Sequence, residues 1–521
     1  MSKLTDFTSY AAAQQHYSTQ ALWDLFDGNA ESFNIAHECI DRHAKDPACV
    51  AVRVAHASGE DEILTFREIS QWSSRFAHWL VEQGVQPGDR VAFMLEPSRA
   101  FYVALFGAMK AGAISVPLFT LFGPEGLQLR VADCNPVILV TNEEKAEMAR
   151  GSAGTRVVVA NAEFFQMLSR FADSFEIRTR ADDTAAFQYT SGTTRELPAA
   201  VKHTHRAIVV LALAALYGTG VRPGEQFFCP SSPAWGHGMW HGTLAPLALG
   251  VTTGTYSGKF DATRLLKALH DYGITNLSAA STHYRMMKAS EAAGRYSYAL
   301  QKLSYTGEPI DPATLEFVDA TFRKPVCSMY GTTEIGVILV NYPGAEDFKV
   351  KPGSLGKPIP GQRVEIHDAA GRTVTTPGQV GEIKLFRRNA WVATKDLGHL
   401  DAEGYFYHDG RADDVIISAG WTMSAVEIEN VLLKHPDVRE AAVIGVKDKL
   451  RGQVVKAFIV SPRKQDEEFN KALQDFTRER LSQHEYPRII SVVEELPKTP
   501  AGKVNRKVLR DREAAQAPAQ A

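Results

Sequence analysis

Several short stretches of this 521-residue chain concentrate the residue types that handle phosphate, sugar and carboxylate chemistry. In TSGTT, Thr190, Ser191, Thr193 and Thr194 surround Gly192 directly after the strand-like run AAFQY. Successive backbone N–H groups in such a turn form a nest for anions, the glycine lets backbone approach a ligand, and the hydroxyls add donors for phosphate oxygens. The stretch is not the GxxxxGK[ST] phosphate loop. SMYGTTEIG, Ser328 to Gly336, follows the short run KPVC and joins an aromatic face (Tyr330), Gly331, the hydroxyls of Thr332 and Thr333, and the carboxylate of Glu334. A ring can stack on a base, a hydroxyl can bond a phosphate, and a carboxylate can hold Mg²⁺ beside phosphates. TKDLGHLDAEGYFYHDGRADD holds Asp396 and Arg411. An aspartate beyond a strand can accept both hydroxyls of a ribose, and an arginine can bond the same sugar. LPKTPAGKVNRKVLR sets Lys503 after a glycine, as a movable point charge. Taken singly, each stretch also reads as an ordinary polar turn, AEG and HDG as hairpin turns in particular.

The elements that must position these residues alternate along the chain. LTFREISQWSSRFAHWLVEQG opens on a capping box, Thr65 with Glu68, then carries Ile69, Trp72, Phe76 and Trp79 at helical spacing and closes at Gly84. RVAFML, a helix around AFYVALFGAMKAG, ISVPL, VILVT and RVVVA follow, each bounded by turn residues. The alternation predicts an α/β protein with strands buried on both faces. A second unit begins near GRADDVIISAG: a helix from Ala425 to His435, strands EAAVIGV and VVKAFIV, a helix from about Glu467 to Leu481, and the strand RIISVV. The Ala- and Gln-rich end EAAQAPAQA reads as disordered.

Composition narrows the function. With 45% apolar residues the chain can bury a large core in more than one domain. Its 57 basic and 60 acidic residues are well mixed, for a net charge of -3, and give no broad basic face for nucleic acid. The five cysteines form no CxxC pair and suggest reduced thiols in a cytosolic protein. The start, MSKLTDFTSY, lacks the apolar run of a signal peptide. AIVVLALAALY, from Ala207, is about half the roughly 20 residues a membrane helix needs and reads as a buried helix. The expectation is a cytoplasmic protein with no membrane span, monomeric or homodimeric.

In order and spacing, these stretches make the chain resemble the adenylate-forming superfamily of acyl-CoA synthetases, carrier-protein adenylation domains and luciferases, from about Phe33 to Arg510. FNIAHECIDRHAKDPACVAV followed by LTFREIS is most similar to the acetyl- and medium-chain acyl-CoA synthetase branch. The resemblance implies an α/β fold with a large N-terminal adenylate-forming domain of packed sheets and helices, plus a small mobile α+β C-terminal domain. The matching division is 1–412 for ATP and acyl binding, 413–510 for the domain carrying the catalytic lysine, and 511–521 as a disordered tail. ATP, Mg²⁺ and coenzyme A are the implied co-substrates, and a small carboxylic acid the partner.

Residue by residue, the resemblance lays Thr190, Ser191, Gly192, Thr193 and Thr194 over the β- and γ-phosphates. Tyr330 stacks on adenine, Gly307, Glu308 and Pro309 run along the base, and Gly331 and Thr332 complete the nucleotide site. Thr333 contacts the α-phosphate and Glu334 the Mg²⁺. Asp396 holds the ribose hydroxyls with help from Arg411, and Lys503 bridges the attacking carboxylate and the α-phosphate oxygens. Asp413 matches a hinge about which the small domain turns between half-reactions, and Gly420 a loop along the thiol tunnel. The chain departs from the family after TSGTT: in place of a glycine and a proline–lysine pair, Arg195, Glu196 and Ala199 intervene with one residue extra. Arg195 and Lys202 are candidates to restore the charge.

Acetate-restricted relatives carry a tryptophan at the position of Gly331, so that wall of the acyl pocket is missing here. PAWGHGMWHGTLAPLALG matches the pocket region, with Trp235, His237, Gly238 and Met239 as expected lining. Such walls favour a medium-chain aliphatic or aromatic acid. His237 reads more readily as a structural histidine than as a carboxylate ligand. The alternatives are an acetate or propionate ligase, a stand-alone enzyme that loads a carrier protein, and a non-catalytic nucleotide-binding relative. Retention of Lys503 speaks against the last, since ATP binding alone does not require it.

Overall fold

The structure, a computed structural model, describes residues 2–151, 154–189, 200–307, 310–332, 335–411, 416–418, 421–423, 425–448, 452–481, 486–499 and 504–516. The expected alternation of helices and strands is present. Phe66–Glu82 is a helix whose N-terminus carries the capping box: Glu68 N donates to Thr65 Oγ1 at 3.1 Å, and Thr65 N donates to Glu68 Oε2 at 2.8 Å. Its apolar stripe packs on the helix Arg99–Lys110. The crossing is tight at Gly107, where a Cβ would lie 2.7 Å from Phe76 Cδ1 and 2.8 Å from Ser73 O. Lys110 ends that helix buried, its charge taken up by Asp41 at 2.6 Å and by Ser74 Oγ and Ser70 O, each at 2.9 Å.

Arg99–Lys110 in turn packs on a six-stranded sheet in the order Arg156–Val159, Ile138–Thr141, Arg90–Met94, Ile114–Pro117, Thr184–Gln188, Val201–Thr204. All neighbours are parallel except the last pair. Every residue of Ile114–Pro117 and Ile138–Thr141 is buried, as strands covered on both faces require.

A second sheet of fourteen strands has a parallel block in the order Val326–Thr332, Lys302–Thr306, Asn276–Ala280, Gln226–Cys229, Thr252–Ser257, Val50–His56. Beyond Val326–Thr332 the sheet turns antiparallel through Gly336–Val340, Ser354–Pro358, Phe406–Arg411 and Ala390–Leu400. Ala207–Tyr217, the most apolar run, is the helix expected, and most of it sits in the main core. Among the described residues no helix is long and apolar enough to cross a membrane.

The small C-terminal domain follows the expected element order: helix Ala425–Leu432, strands Glu440–Asp448 and Gly452–Val460, helix Glu467–Arg480 and strand Ile489–Val493. The division near 412, with Asp413, lies outside the described residues. The reading of 511–521 as disordered is corrected for its first half, because a helix spans Arg506–Gln516. Leu509 packs with Ala442, Ile444 and Phe458, and Glu513 pairs with Lys456 at 2.7 Å. Alanine and glutamine are also good helix formers, and docking on the sheet decides between the two outcomes. HDG is likewise not a turn. Asp409 and Gly410 lie within the strand Phe406–Arg411, where Asp409 pairs with His399 at 2.7 Å. AEG is a turn, closed by Asp401, whose Oδ1 accepts from Glu403 N at 2.9 Å and Tyr405 N at 3.0 Å.

Candidate active site

Several motif stretches lie at or follow the carboxyl ends of parallel strands, where open α/β sheets bind ligands. Thr184–Gln188 leads toward TSGTT, Lys302–Thr306 leads into Gly307, and Val326–Thr332 carries Tyr330, Gly331 and Thr332. Gly307 adopts φ +103°, a region that glycine reaches without steric cost. Gly331 sits at a shift in register against Gly336–Val340, and a Cβ there would lie 2.0 Å from Gly336 O. The backbone itself therefore demands glycine at 331, in addition to any effect on the width of an acyl pocket.

Tyr330 and Asp396 come together across the antiparallel strands. The Tyr330 hydroxyl donates to Asp396 Oδ2 at 2.6 Å. Asp396 is buried, its backbone N–H donates to Thr394 Oγ1 at 3.1 Å, and Arg411 stands opposite it as its cross-strand neighbour. The preceding residue, Lys395, has φ +63°, a left-handed conformation uncommon for a side-chain-bearing residue, at a shift in register against the strand Gly381–Arg387. On the neighbouring strand His408 approaches Asp396 Oδ1 at 3.6 Å with Nε2, and its ring lies 6.3 Å from that of Tyr330. The result is an aromatic face beside a carboxylate, with a histidine behind it.

The expected acyl-pocket stretch forms a π-helical segment, His237–Leu244, a wide turn that recurs at functional sites. It docks on the end of Gln226–Cys229. Gly238 is required there, since a Cβ would lie 2.2 Å from Ser232 O and 2.3 Å from Ser231 O. His237 is the structural histidine anticipated: Nδ1 lies 2.9 Å from Ser231 Oγ and Nε2 lies 2.9 Å from Ser278 Oγ. Burial, aided by His241 and His283, pushes its pKa well below the ordinary histidine value. Trp235 is half-buried, with its ring 5.5 Å from that of His237. Met239, expected as lining, is fully buried and belongs to the main core.

The remaining expected residues fall outside the described ones: Thr190, Ser191, Gly192, Thr193, Thr194, Arg195, Glu308, Pro309, Thr333, Glu334, Asp413, Gly420 and Lys503. Arg411 is described in its backbone only. The chain on either side of these stretches is well tied. Tyr189 donates its hydroxyl to Asp133 Oδ2 at 2.7 Å, and Ala200 N donates to the same oxygen at 3.2 Å. Lys202 lies over the Phe187 ring, 5.2 Å from its centroid. On the C-terminal domain Lys498 and Val504 form an antiparallel bridge, Asn505 N donates to Pro497 O at 2.7 Å, and Arg506 Nε donates to Glu429 Oε1 at 3.0 Å.

Sequence reasoning passed over Asp133, Gln188, His203, His241 and His408. Gln188, buried at the end of Thr184–Gln188, accepts from Trp240 Nε1 at 2.8 Å. The His203 ring lies 4.6 Å from that of Trp240. Only the spacing of His237 and His241 was visible in the sequence as a pair on one helical face. A cavity of about 480 Å³ opens elsewhere, lined by Asp27, Asn34, Glu38, Asp41 and Ser70 among others, and holds none of the motif residues. Among the described residues no group of three or more His, Cys, Asp or Glu side chains is placed to hold a metal ion.

Residues 37–393 match the AMP-binding enzyme family, and residues 427–503 match the AMP-binding enzyme C-terminal domain. Over 489 residues the chain is 31% identical to an uncharacterized acyl-CoA ligase, YtcI, of Bacillus subtilis, covering 88% of this chain and 92% of that one. Among solved structures, an acyl-CoA synthetase of Brucella canis aligns with a TM-score of 0.76 at 30% identity, over 98% of this chain and 99% of that one. The anthranilate CoA ligase AuaEII, in complex with anthranoyl-AMP, aligns with a TM-score of 0.82 at 25% identity, over 93% and 98%.

Proposed function

This chain belongs to the AMP-binding enzyme family, and we propose that it joins a medium-chain aliphatic or aromatic carboxylic acid to coenzyme A through an acyl-adenylate. It is an enzyme, an acid–thiol ligase of the AMP-forming type. The chemistry sets the order of events. A carboxylate is a poor electrophile, so its oxygen first attacks the α-phosphorus of ATP, and the bond to the bridging oxygen of pyrophosphate breaks. The thiol of CoA then attacks the acyl carbon and AMP leaves. Charge builds on the α-phosphate oxygens in the first step and must be met by positioned donors and cations.

The observation that carries this reading is the hydrogen bond between Tyr330 and Asp396, residues 66 positions apart in the chain. It joins the proposed adenine-stacking ring to the proposed ribose carboxylate at the mouth of a parallel sheet. In this reading the TSGTT stretch takes the β- and γ-phosphates and Thr333 the α-phosphate. Arg411 assists Asp396. Glu334 would hold the Mg²⁺ that accompanies ATP, which would neutralise charge on the phosphates. Lys503 stabilises charge between the carboxylate and α-phosphate oxygens without moving a proton. The residues on either side of it are joined by the Lys498–Val504 bridge and the bond from Asn505 N to Pro497 O. Asp413 is the proposed hinge, and Gly420 the proposed lining of the thiol approach. An aromatic acid accords with the half-buried Trp235 and with the likeness to the anthranilate ligase.

The test separates the half-reactions. Lys503→Ala abolishes pyrophosphate release from acid and ATP while largely sparing thioester formation from supplied acyl-adenylate. Equal loss in both steps contradicts the assignment of Lys503 to the first step only.

A further inference from the structure

The stretch HDG, His408 to Gly410, lies at an irregular point of the strand Phe406–Arg411. Against Ala390–Leu400 the pairing passes from Leu397 with Gly410 to Gly398 with His408, so the ladder skips Asp409. Gly410 adopts φ +113° beside it, a conformation that glycine tolerates. An extra residue of this kind is a β-bulge, a feature that re-aims side chains. Asp409 is held on it by His399, at 2.7 Å. His408 stands opposite Gly398, which has no side chain, and its ring reaches diagonally to Asp396, two residues along the partner strand.

What His408 offers Asp396 follows from its two ring nitrogens. Nε2 lies 3.6 Å from Asp396 Oδ1. Nδ1 is buried and has no hydrogen-bond partner among the described residues. A proton on Nδ1 alone would have no acceptor, and the Nε2 lone pair would then face a carboxylate. The ring therefore carries a proton on Nε2, directed at Asp396. At 3.6 Å this is an electrostatic attraction and not a hydrogen bond. It acts with little screening by water, since the side chain of Asp396 is 8% exposed and that of His408 15%. Tyr330 meets the other oxygen, Oδ2, at 2.6 Å. The carboxylate is thus approached by one protein donor at each oxygen. An ionised carboxylate has about four lone-pair sites, enough for donors from the protein and from two hydroxyls together.

We propose that His408 is a positioning residue for nucleotide selection: its Nε2–H, acting on Asp396 Oδ1, turns the carboxylate so that it meets both hydroxyls of the ribose. The inference rests on the reading of Asp396 as the ribose carboxylate and adds the group that orients it. A fixed acceptor discriminates against a sugar lacking one hydroxyl more strongly than a carboxylate able to swing, because the swinging group finds another partner.

Calorimetric titration of the full chain with ATP, 2′-deoxyATP and 3′-deoxyATP, each with Mg²⁺, tests this without a known acid. The wild-type protein binds ATP roughly 10-fold or more tighter than either deoxynucleotide, as the loss of one hydrogen bond to a charged group implies. His408→Phe, which keeps a flat ring and loses the N–H, narrows that ratio by roughly 3- to 10-fold, and His408→Gln, which keeps a side-chain N–H, restores part of it. A structural role alone would weaken all three nucleotides alike and leave the ratios unchanged. Should His408→Phe not fold, His408→Met, a flexible apolar replacement, is read in the same way. An unchanged ratio in the apolar variant, or a His408→Gln ratio no nearer wild type, overturns the assignment of His408 and leaves Asp396 as the ribose carboxylate. Equal wild-type affinity for ATP and both deoxynucleotides overturns the ribose role of Asp396 and this inference with it. No binding of ATP at all overturns the ligase reading as well.

Discussion

The Tyr330 hydroxyl and the Asp396 carboxylate are linked across the proposed nucleotide site at 2.6 Å. A hydrogen bond to a charged group contributes about 1.5–3 kcal/mol. Tyr330→Phe is accordingly expected to raise the KM for ATP by roughly 10-fold or more with kcat changed far less. Steady-state kinetics at varied ATP read this directly, and an unchanged KM would remove Tyr330 from the role of holding Asp396. Gly331 makes a different kind of prediction. With Gly336 O at 2.0 Å from its Cβ position, even Gly331→Ala must displace the hairpin, and overpacking of this kind costs about 1–3 kcal/mol. Thermal melting should show a drop in Tm for Gly331→Ala whatever acid is bound; a melt identical to wild type would show that the hairpin yields freely.

Much of the fold was legible because its elements carry strong local signals. The Thr65–Glu68 capping box, the helical stripe from Ile69 to Trp79 and the short, mostly apolar strands each state their own structure, and tertiary packing agrees with them. The site was legible as separate stretches, each deniable alone, and two of them, at Gly307 and at Tyr330 to Thr332, come off adjacent parallel strands. Other features were hidden for physical reasons. The helix Arg506–Gln516 depends on docking Leu509 and Glu513 onto a sheet formed by earlier residues, which local composition does not encode. The unpartnered Nδ1 of His241 was hidden because only the packed chain shows which polar atoms lack a partner. The small domain also offers a test at this scale. Glu429 on Ala425–Leu432 is buried, accepts from Val443 N at 2.7 Å and pairs with Arg506 at the start of the last helix. Arg506 keeps contact with solvent, so the main loss in Glu429→Ala is the partner of the buried Val443 N–H, at about 1–3 kcal/mol. Glu429→Ala should therefore loosen the C-terminal domain ahead of the rest, seen as an early phase in denaturant unfolding or as lost amide protection confined to residues after 425. A single unshifted transition would mean that the pair does not hold the domain.

For the molecule as a whole, the buried histidines set a response to acid. Burial pushes His205 and His241 down to about 4 in the folded chain, against an ordinary value of 6.5. The unfolded chain therefore binds protons that the folded chain refuses. Their contribution is fully present above pH 6.5 and is lost as the pH falls toward 4, at up to about 1.4 kcal/mol per pH unit for each histidine. Denaturant midpoints taken across that window should fall with acid, and His241→Leu, if folded, should flatten the slope; a flat wild-type profile would contradict the placement of these imidazoles. The central claim concerns what the whole chain makes. Mixed with ATP, Mg²⁺, coenzyme A and a panel of acids running from acetate through hexanoate and octanoate to benzoate and hydroxybenzoates, the protein should convert at least one medium-chain or aromatic acid. It should release one pyrophosphate and one AMP for each CoA thioester formed, with free AMP appearing at that rate only when CoA is present. Release of ADP and phosphate instead, or pyrophosphate with no thioester from any acid, would contradict the account.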